Sequence, residues 1–316
     1  MKICRFGLAF FSLFMGFTVC GQNIVLTGSG KGYKNAELTI FSQTDPVTKR
    51  FKPVLCINCD EKGSFTCEIP CEGRMIIYIK TGIYNLHLYV KDSLKYELRL
   101  PDYIAKDFNE EQNPFFIEAE LIPEVINDKL DVNNLIRAFD YEYNPVFNQV
   151  AEWVFRNFKK EDIQQEILKL AKFTKGTSNE FFNDYVKARM TMLNLVFSTT
   201  TADKAKAAGF INERFNTDNQ AFLELAEQMF SDYFNQISAG QFKDNFSRAI
   251  ALASYPEMRS VIQQEGKISN KELADFVTLM NLNAGYYNRT LPGENVRKII
   301  SVMKSQGSTA FIQNVA

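Results

Sequence analysis

The chain has 316 residues, of which 46% are hydrophobic and 23% charged, and its formal net charge is −1. This composition supplies enough apolar side chains for ordinary protein cores and excludes an intrinsically disordered chain. The balanced charge argues against a nucleic-acid-binding protein, which needs a concentrated basic surface. A chain of this length is expected to form about two domains.

Residues 1–21 have the pattern of a signal peptide. Lys2 and Arg5 form a short basic start, and the apolar run that follows through Val19 is too short for a membrane span. Small residues before Gln22 predict cleavage at that point. We therefore expect the protein to be secreted across the inner membrane and to reside in the periplasm.

Cys20 leaves open a second form of export, in which a bacterial lipoprotein is acylated at its first mature cysteine. Such signals usually carry Leu three residues before the cysteine and a small residue directly before it, and Phe17 and Val19 match this pattern poorly. We predict a free periplasmic product, with a membrane-tethered lipoprotein as the alternative. No later segment approaches the ~20 apolar residues of a transmembrane helix.

Residues 22–101 are predicted to form a β-sandwich domain. Short runs of alternating apolar and polar residues, about seven of them, are separated by Gly, Asn, Asp and Pro. In the run 64–69, Phe65, Cys67 and Ile69 share one face of a strand. Short strands at regular spacing predict a small antiparallel sandwich.

Residues 102–130 are predicted to be a connector. Prolines interrupt this segment, and we expect the apolar pair Phe115 and Phe116 to hold it against one of the domains.

Residues 131–316 are predicted to form an all-helical domain, because their apolar residues recur every three or four positions. Pro145 is expected to kink or split the first helix, and Ser269 with Glu272 predicts a capping box. The fold class is therefore α+β, with a β-sandwich followed by helices. The predicted helices cover residues 135–158, 160–173, 179–197, 202–214, 219–236, 241–253, 256–265, 270–284 and 294–305.

Four cysteines lie in the predicted sandwich, at Cys56, Cys59, Cys67 and Cys71. An even number of cysteines in a short exported segment predicts structural disulfides. If residues 60–63 form a hairpin loop, Cys56 faces Cys67 across the two strands, and Cys59 then pairs with Cys71.

Two other interpretations of the cysteines remain open. Cys56-Ile-Asn-Cys59 has the spacing of a dithiol redox motif, although no helix follows that would lower the thiol pKa. The full set of four has spacing compatible with a zinc site, which an oxidising compartment disfavours. We predict neither a metal site nor a cofactor.

His87 is the only histidine of the chain, so histidine-dependent catalysis must use it. It alternates with Leu86 and Leu88 in a predicted strand, and we expect it to face solvent or a neighbouring sheet. Acid pairs such as Asp140 and Glu142 are typical of solvated helix faces.

No G-x-S-x-G, H-E-x-x-H or EF-hand pattern occurs in the sequence. Trp153 is the only tryptophan, which gives little support for a sugar-stacking platform. These observations predict no catalytic residue.

Several segments together are similar to a known family. They are Asp60-Glu-Lys-Gly-Ser-Phe-Thr-Cys-Glu-Ile-Pro, Leu86-His-Leu-Tyr-Val, Asn113-Pro-Phe-Phe and Leu135-Ile-Arg-Ala-Phe-Asp-Tyr-Glu-Tyr-Asn. Over most of residues 22–305 the chain resembles the N-terminal region of Bacteroidetes-type TlpA-like thioredoxin-family envelope proteins. In that family a β domain and a helical domain precede a thioredoxin fold.

The resemblance implies a location in the cell envelope. The redox motif W-C-x-x-C of that family does not occur in these 316 residues, so no family active-site residue is carried over.

We therefore expect a non-catalytic envelope protein that binds or positions a protein partner, and no nucleic acid. Candidate surfaces are the sandwich loop Thr81–Asn85 and the grooves of the helical domain. One alternative is a thiol-disulfide oxidoreductase, or its accessory region, that uses Cys56 and Cys59. Another is a ligand-binding surface lipoprotein anchored at Cys20.

Overall fold

The structure is a computed structural model that describes residues 23–156, 160–197 and 200–316. The predicted signal peptide, with Cys20 and the cleavage site before Gln22, lies outside the described residues. Strands occupy the N-terminal part of the chain and helices the C-terminal part, which confirms the α+β class. No described helix has the length and apolar character needed to cross a bilayer.

Two sheets form the N-terminal part. One has four strands in the order β4-β1-β7-β9, and the other has five in the order β3-β2-β5-β6-β8. Most neighbouring strands are antiparallel, as expected, but β1 with β7 and β6 with β8 are parallel, so both sheets are mixed. The strands are β1 (Asn23–Ser29), β2 (Glu37–Asp45), β3 (Arg50–Asn58), β4 (Ser64–Pro70), β5 (Arg74–Thr81), β6 (Tyr84–Lys91), β7 (Lys95–Arg99), β8 (Ala119–Leu121) and β9 (Glu124–Val125).

The sandwich core lies between the two sheets. Alternation along each strand directs every second side chain inward, and Ile77 and Ile79 of β5 and Leu86 and Leu88 of β6 are fully buried there. Burial of this kind contributes about 25 cal/mol per Å² of apolar surface.

The segment predicted as a connector completes both sheets, because it supplies β8, β9 and the short helix α1 (Phe108–Gln112). Phe115 is 85% exposed, so the prediction that it anchors the segment is wrong. Phe116 is partly buried and lies 4.8 Å from the Lys106 ammonium group. The backbone pairing of β8 and β9 holds this segment in place.

The helical part begins with a helix that runs through Pro145 without being divided. Asn270, not Ser269, caps α10, and its side chain accepts a hydrogen bond from the Leu273 amide at 3.0 Å. The helices are α2 (Val132–Arg156), α3 (Lys160–Lys169), α4 (Glu180–Phe197), α5 (Thr201–Arg214), α6 (Gln220–Phe230), α7 (Tyr233–Ala239), α8 (Lys243–Ala251), α9 (Tyr255–Gly266), α10 (Lys271–Tyr287), α11 (Gly293–Gln306) and α12 (Ala310–Val315), with a 3₁₀ segment at Leu170–Lys175.

Two neighbouring asparagines fasten α2 to both sheets. Asn133 is fully buried, and its side chain accepts from the Tyr89 amide at 2.7 Å and donates to the Tyr89 carbonyl at 2.9 Å. Asn134 bonds the amide and carbonyl of Val125 in β9 in the same way, at 3.1 and 2.7 Å. Tyr89 also belongs to the helical core, and its ring packs edge-on against Phe181. The helices therefore cover the outer face of the five-stranded sheet in a defined position.

Candidate functional site

A cleft of about 870 Å³ lies between the outer face of the five-stranded sheet and the helices α2, α4 and α6. Strands β5 and β6 provide its floor. Tyr78 and His87 are directly opposite each other in this antiparallel pair, as are Ile76 and Tyr89. Because their sequence neighbours point into the sandwich core, these four side chains all point towards the helices.

One arginine organises the helical wall of the cleft. The Arg189 guanidinium donates to Glu224 Oε2 at 2.5 Å and to the Tyr185 hydroxyl at 3.1 Å. That hydroxyl donates in turn to both carboxylate oxygens of Asp140, at 3.1 and 2.9 Å. The Arg189 side chain is 20% exposed and lies 5.2 Å from the Tyr185 ring centre. Three helices are thereby joined by one charged network, with α2 providing Asp140 and α6 providing Glu224.

Aromatic and amide side chains complete the lining. Phe51 contacts Tyr78 edge to face, with 4.8 Å between the ring centres, and the Tyr78 hydroxyl donates to Gln43 at 3.2 Å. On the helical wall, Tyr141 is 82% exposed at the mouth of the cleft, next to Asn144 along the same helix face. The cleft therefore combines apolar ring faces with groups that both donate and accept hydrogen bonds.

Desolvation moves two ionisable groups of the cleft away from their charged forms. Burial, together with the nearby charge of Arg189, lowers the pKa of His87 to about 4. Burial also raises the pKa of Asp140 to about 6, although Arg189 and the Tyr185 hydroxyl act in the opposite direction. At neutral pH His87 is an uncharged imidazole and Asp140 is ionised.

We expect these two groups to have opposite effects on the pH dependence of stability. The pKa of Asp140 is higher in the folded chain than in the unfolded chain, so its contribution to the free energy of unfolding falls as pH rises from about 4 to about 6. The pKa of His87 is lower in the folded chain, so its contribution rises between about pH 4 and 6.5. Each contribution amounts to about 3 kcal/mol.

Two single variants separate these contributions. Relative to wild type, Asp140→Asn is expected to gain stability as pH is raised from about 4.5 to about 7, and His87→Gln to gain stability as pH is lowered over the same interval. Urea denaturation at both pH values measures the difference, and groups that titrate elsewhere cancel in the comparison. If both variants keep a constant difference from wild type, neither group is desolvated as described.

His87 and Asp140 correct two expectations. His87 faces neither solvent nor a neighbouring sheet, because the helices cover that face of β6 and leave the cleft above it. Asp140 does not belong to a solvated acid pair, since it faces Tyr185 while Glu142 bonds Lys172 at 2.6 Å on the outer side of α2.

The loop Thr81–Asn85 is partly covered and lies outside the cleft. Its first and last residues are buried, and the Ile83 amide donates to the Ile104 carbonyl at 3.0 Å. Gly82 has a φ of +51° and lies so close to that carbonyl that a Cβ atom would be 2.0 Å from its oxygen. The segment after the sandwich therefore closes over this loop, which is not part of the cleft.

The cysteines are arranged differently from the predicted hairpin. Cys56 lies opposite Thr39 in the five-stranded sheet, while Cys67 lies opposite Leu26 in the four-stranded sheet. The prediction that Cys56 faces Cys67 is wrong, because residues 60–63 carry the chain from one sheet to the other.

The second predicted pair is also wrong. Cys59 precedes β4 and Cys71 follows it, and a seven-residue strand of about 3.3 Å per residue separates them by roughly 20 Å. A disulfide requires Cα atoms within about 7 Å. All four cysteines are free in the structure, with Cys56 exposed and the others buried.

Burial raises the pKa of each of the three buried cysteines, Cys59, Cys67 and Cys71, and so disfavours their thiolate forms. The pKa of Cys67 rises to about 11. A dithiol enzyme needs the opposite shift. None of the four lines the cleft. Within the described ranges, no group of three His, Cys, Asp or Glu side chains is placed to hold a metal ion.

Sequence patterns single out His87 and name Asp140 only as part of a solvated acid pair, and they do not indicate the other charged and aromatic residues of the cleft. Arg189, Tyr185 and Glu224 lie in amphipathic helices, where a charged or aromatic residue has no distinguishing signal.

No known protein-family model matches the chain, and no curated protein sequence is significantly similar to it.

Proposed function

We propose that the protein is an exported, non-catalytic binding protein of the cell envelope that takes up its ligand in the cleft between sheet and helices. The observation that carries the proposal is the cleft itself. Its volume of about 870 Å³ lies in the upper part of the ~300–1,000 Å³ range of ligand sites, and strands and helices both line it.

The lining supports binding over covalent chemistry. Among the described residues no serine, threonine or cysteine lines the cleft, so no hydroxyl or thiol of those types is available as a nucleophile. His87 is a weak base with a pKa of about 4, and the Tyr185 hydroxyl donates to both oxygens of Asp140.

The alternatives have unequal support. A thiol-disulfide oxidoreductase using Cys56 and Cys59 is disfavoured by the raised pKa of Cys59 and by the strand that contains Cys56. A ligand-binding lipoprotein differs from our proposal only in acylation at Cys20, and the same cleft serves it. The signal-like residues 1–21 and the resemblance to TlpA-like envelope proteins support the location.

The binding function is tested by thermal unfolding of the mature chain with three ligand classes: neutral oligosaccharides, tripeptides including a lysine-containing one, and nucleotides. We expect one class to raise the melting temperature saturably, because a ligand that binds only the folded state stabilises it.

A variant that fills the cleft provides the control. Asn144→Trp places a large ring at the helical wall and is expected to abolish the shift. Ala138→Trp alters an exposed position of the same helix that does not line the cleft, and it should respond like wild type. Absence of a shift with every class, or an equal shift in both variants, would contradict the proposal.

A further inference from the structure

Three cations line the cleft, and each already has a carboxylate partner. Arg189 lies 2.5 Å from Glu224, Lys49 lies 3.7 Å from Glu227, and Arg137 lies 3.9 Å from Glu124. Because no cation is left unpaired among the described cleft residues, the site is poorly suited to phosphates and carboxylates, which require charge-assisted hydrogen bonds.

Besides these pairs and the charged network of the helical wall, the lining offers one further carboxylate, Glu120, and several neutral polar groups. Gln220 lines the cleft, and its Oε1 atom is buried without a hydrogen-bond partner among the described residues. The amides of Gln43 and Asn144 and the uncharged ring of His87 each offer a donor and an acceptor. Hydroxyl groups have the same dual capacity, so a polyhydroxylated ligand matches this set.

Exposed aromatic rings stand on both walls. Phe51, on the sheet side, is 41% exposed and lies against Tyr78, while Tyr141 on α2 is 82% exposed. Both rings present an apolar face, and Tyr141 also carries a polar hydroxyl group. The C–H faces of a pyranose ring fit the apolar ring faces, and its hydroxyl groups fit the neighbouring amides.

The position of the cleft argues against an extended peptide. Peptides commonly bind sheets by adding a strand at an edge, where backbone groups are unpaired. The floor strands β5 and β6 are interior strands that are hydrogen-bonded on both sides. Recognition on this floor must therefore use side chains, and the edge strand β8 borders the cleft at Glu120 and Leu121.

We propose that the cleft binds a neutral saccharide of a few sugar units. This inference rests on the proposed binding function and names its ligand class. The orphaned Gln220 oxygen, the paired charges and the exposed rings together carry it.

The test is binding of the mature chain to an array of neutral oligosaccharides built from glucose, galactose, mannose, xylose and N-acetylglucosamine, followed by calorimetric titration of the best one. We expect saturable binding to at least one. Tyr141→Ala is expected to weaken it about tenfold, since stacking contacts of an exposed ring contribute on this scale. Tyr287→Ala removes an exposed tyrosine of α10 that does not line the cleft and should change nothing.

The outcomes separate the two proposals. Binding of tripeptides or nucleotides without any saccharide overturns the ligand class and leaves the binding function in place. No binding from any class overturns both. Saccharide binding that is as tight in Tyr141→Ala and in Asn144→Trp as in wild type places the sugar elsewhere and overturns this inference.

Discussion

Replacing Asp275 with alanine is expected to lower the free energy of unfolding by about 3–5 kcal/mol. Asp275 of α10 is fully buried and receives two hydrogen bonds from Arg259 of α9, at 2.7 and 2.8 Å. The Tyr255 hydroxyl donates to it at 2.7 Å, and the Ser308 amide donates at 2.9 Å. Removing the carboxylate leaves a mostly buried cation and two donors without their partner.

Urea denaturation of matched variants isolates this effect. Arg248→Ala breaks an exposed ion pair with Glu257, whose N–O distance is 3.1 Å, and is expected to lower the free energy of unfolding by at most about 1 kcal/mol. The double variant Arg259→Met, Asp275→Leu removes both charges and should be less destabilised than Asp275→Ala. If Asp275→Ala loses no more stability than Arg248→Ala, the buried pair does not contribute the expected stability.

Replacing Arg189 with methionine is expected to be the second severe change, with a loss of about 3–5 kcal/mol at neutral pH. Glu224 and Asp140 would then share the cleft wall without a cation between them. Because Arg189 now lowers the pKa of Asp140, its removal raises that pKa above about 6. The loss should therefore shrink as pH falls towards 5, where Asp140 is neutral in the variant.

Two substitutions define what the arginine contributes. Arg189→Lys keeps the positive charge but lacks the planar guanidinium group, and we expect it to lose less free energy of unfolding than Arg189→Met does. Arg297→Met removes an exposed guanidinium that contacts Tyr286 at 3.2 Å and should change stability little. If Arg189→Met lowers the free energy of unfolding equally at pH 5 and pH 7, the arginine acts through packing rather than through charge.

Local patterns predicted the elements well. The alternation in 64–69 corresponds to β4, and the apolar spacing from residue 131 onward corresponds to the helices from α2. Helix ends were less accurate, because Asn270 and Ser269 are both good capping residues and only the backbone geometry selects one.

Local patterns could not predict which strands pair with each other. The two predicted cysteine pairs assumed that consecutive strands form a hairpin, whereas β3 and β4 belong to different sheets. Alternation shows which residues share a face but not which strand lies beside it. The position of His87 could not be predicted for the same reason. Its side chain points away from the sandwich core, and in this fold the helices form a second layer on that side of the sheet.

Local sequence patterns are enough to predict the order of strands and helices, the polar and apolar faces of each, and the signal-like N-terminus. These properties depend on neighbours within a few residues, where periodicity and turn chemistry act. The tertiary structure alone decided the cleft, because Tyr78, Asp140, Arg189 and Glu224 come from segments up to about 150 residues apart in the chain. The approach of Asp140 to the sheet depends on the docking of α2 onto β6 through Asn133, which bonds Tyr89 at 44 residues' separation in the chain, a contact that no local pattern encodes.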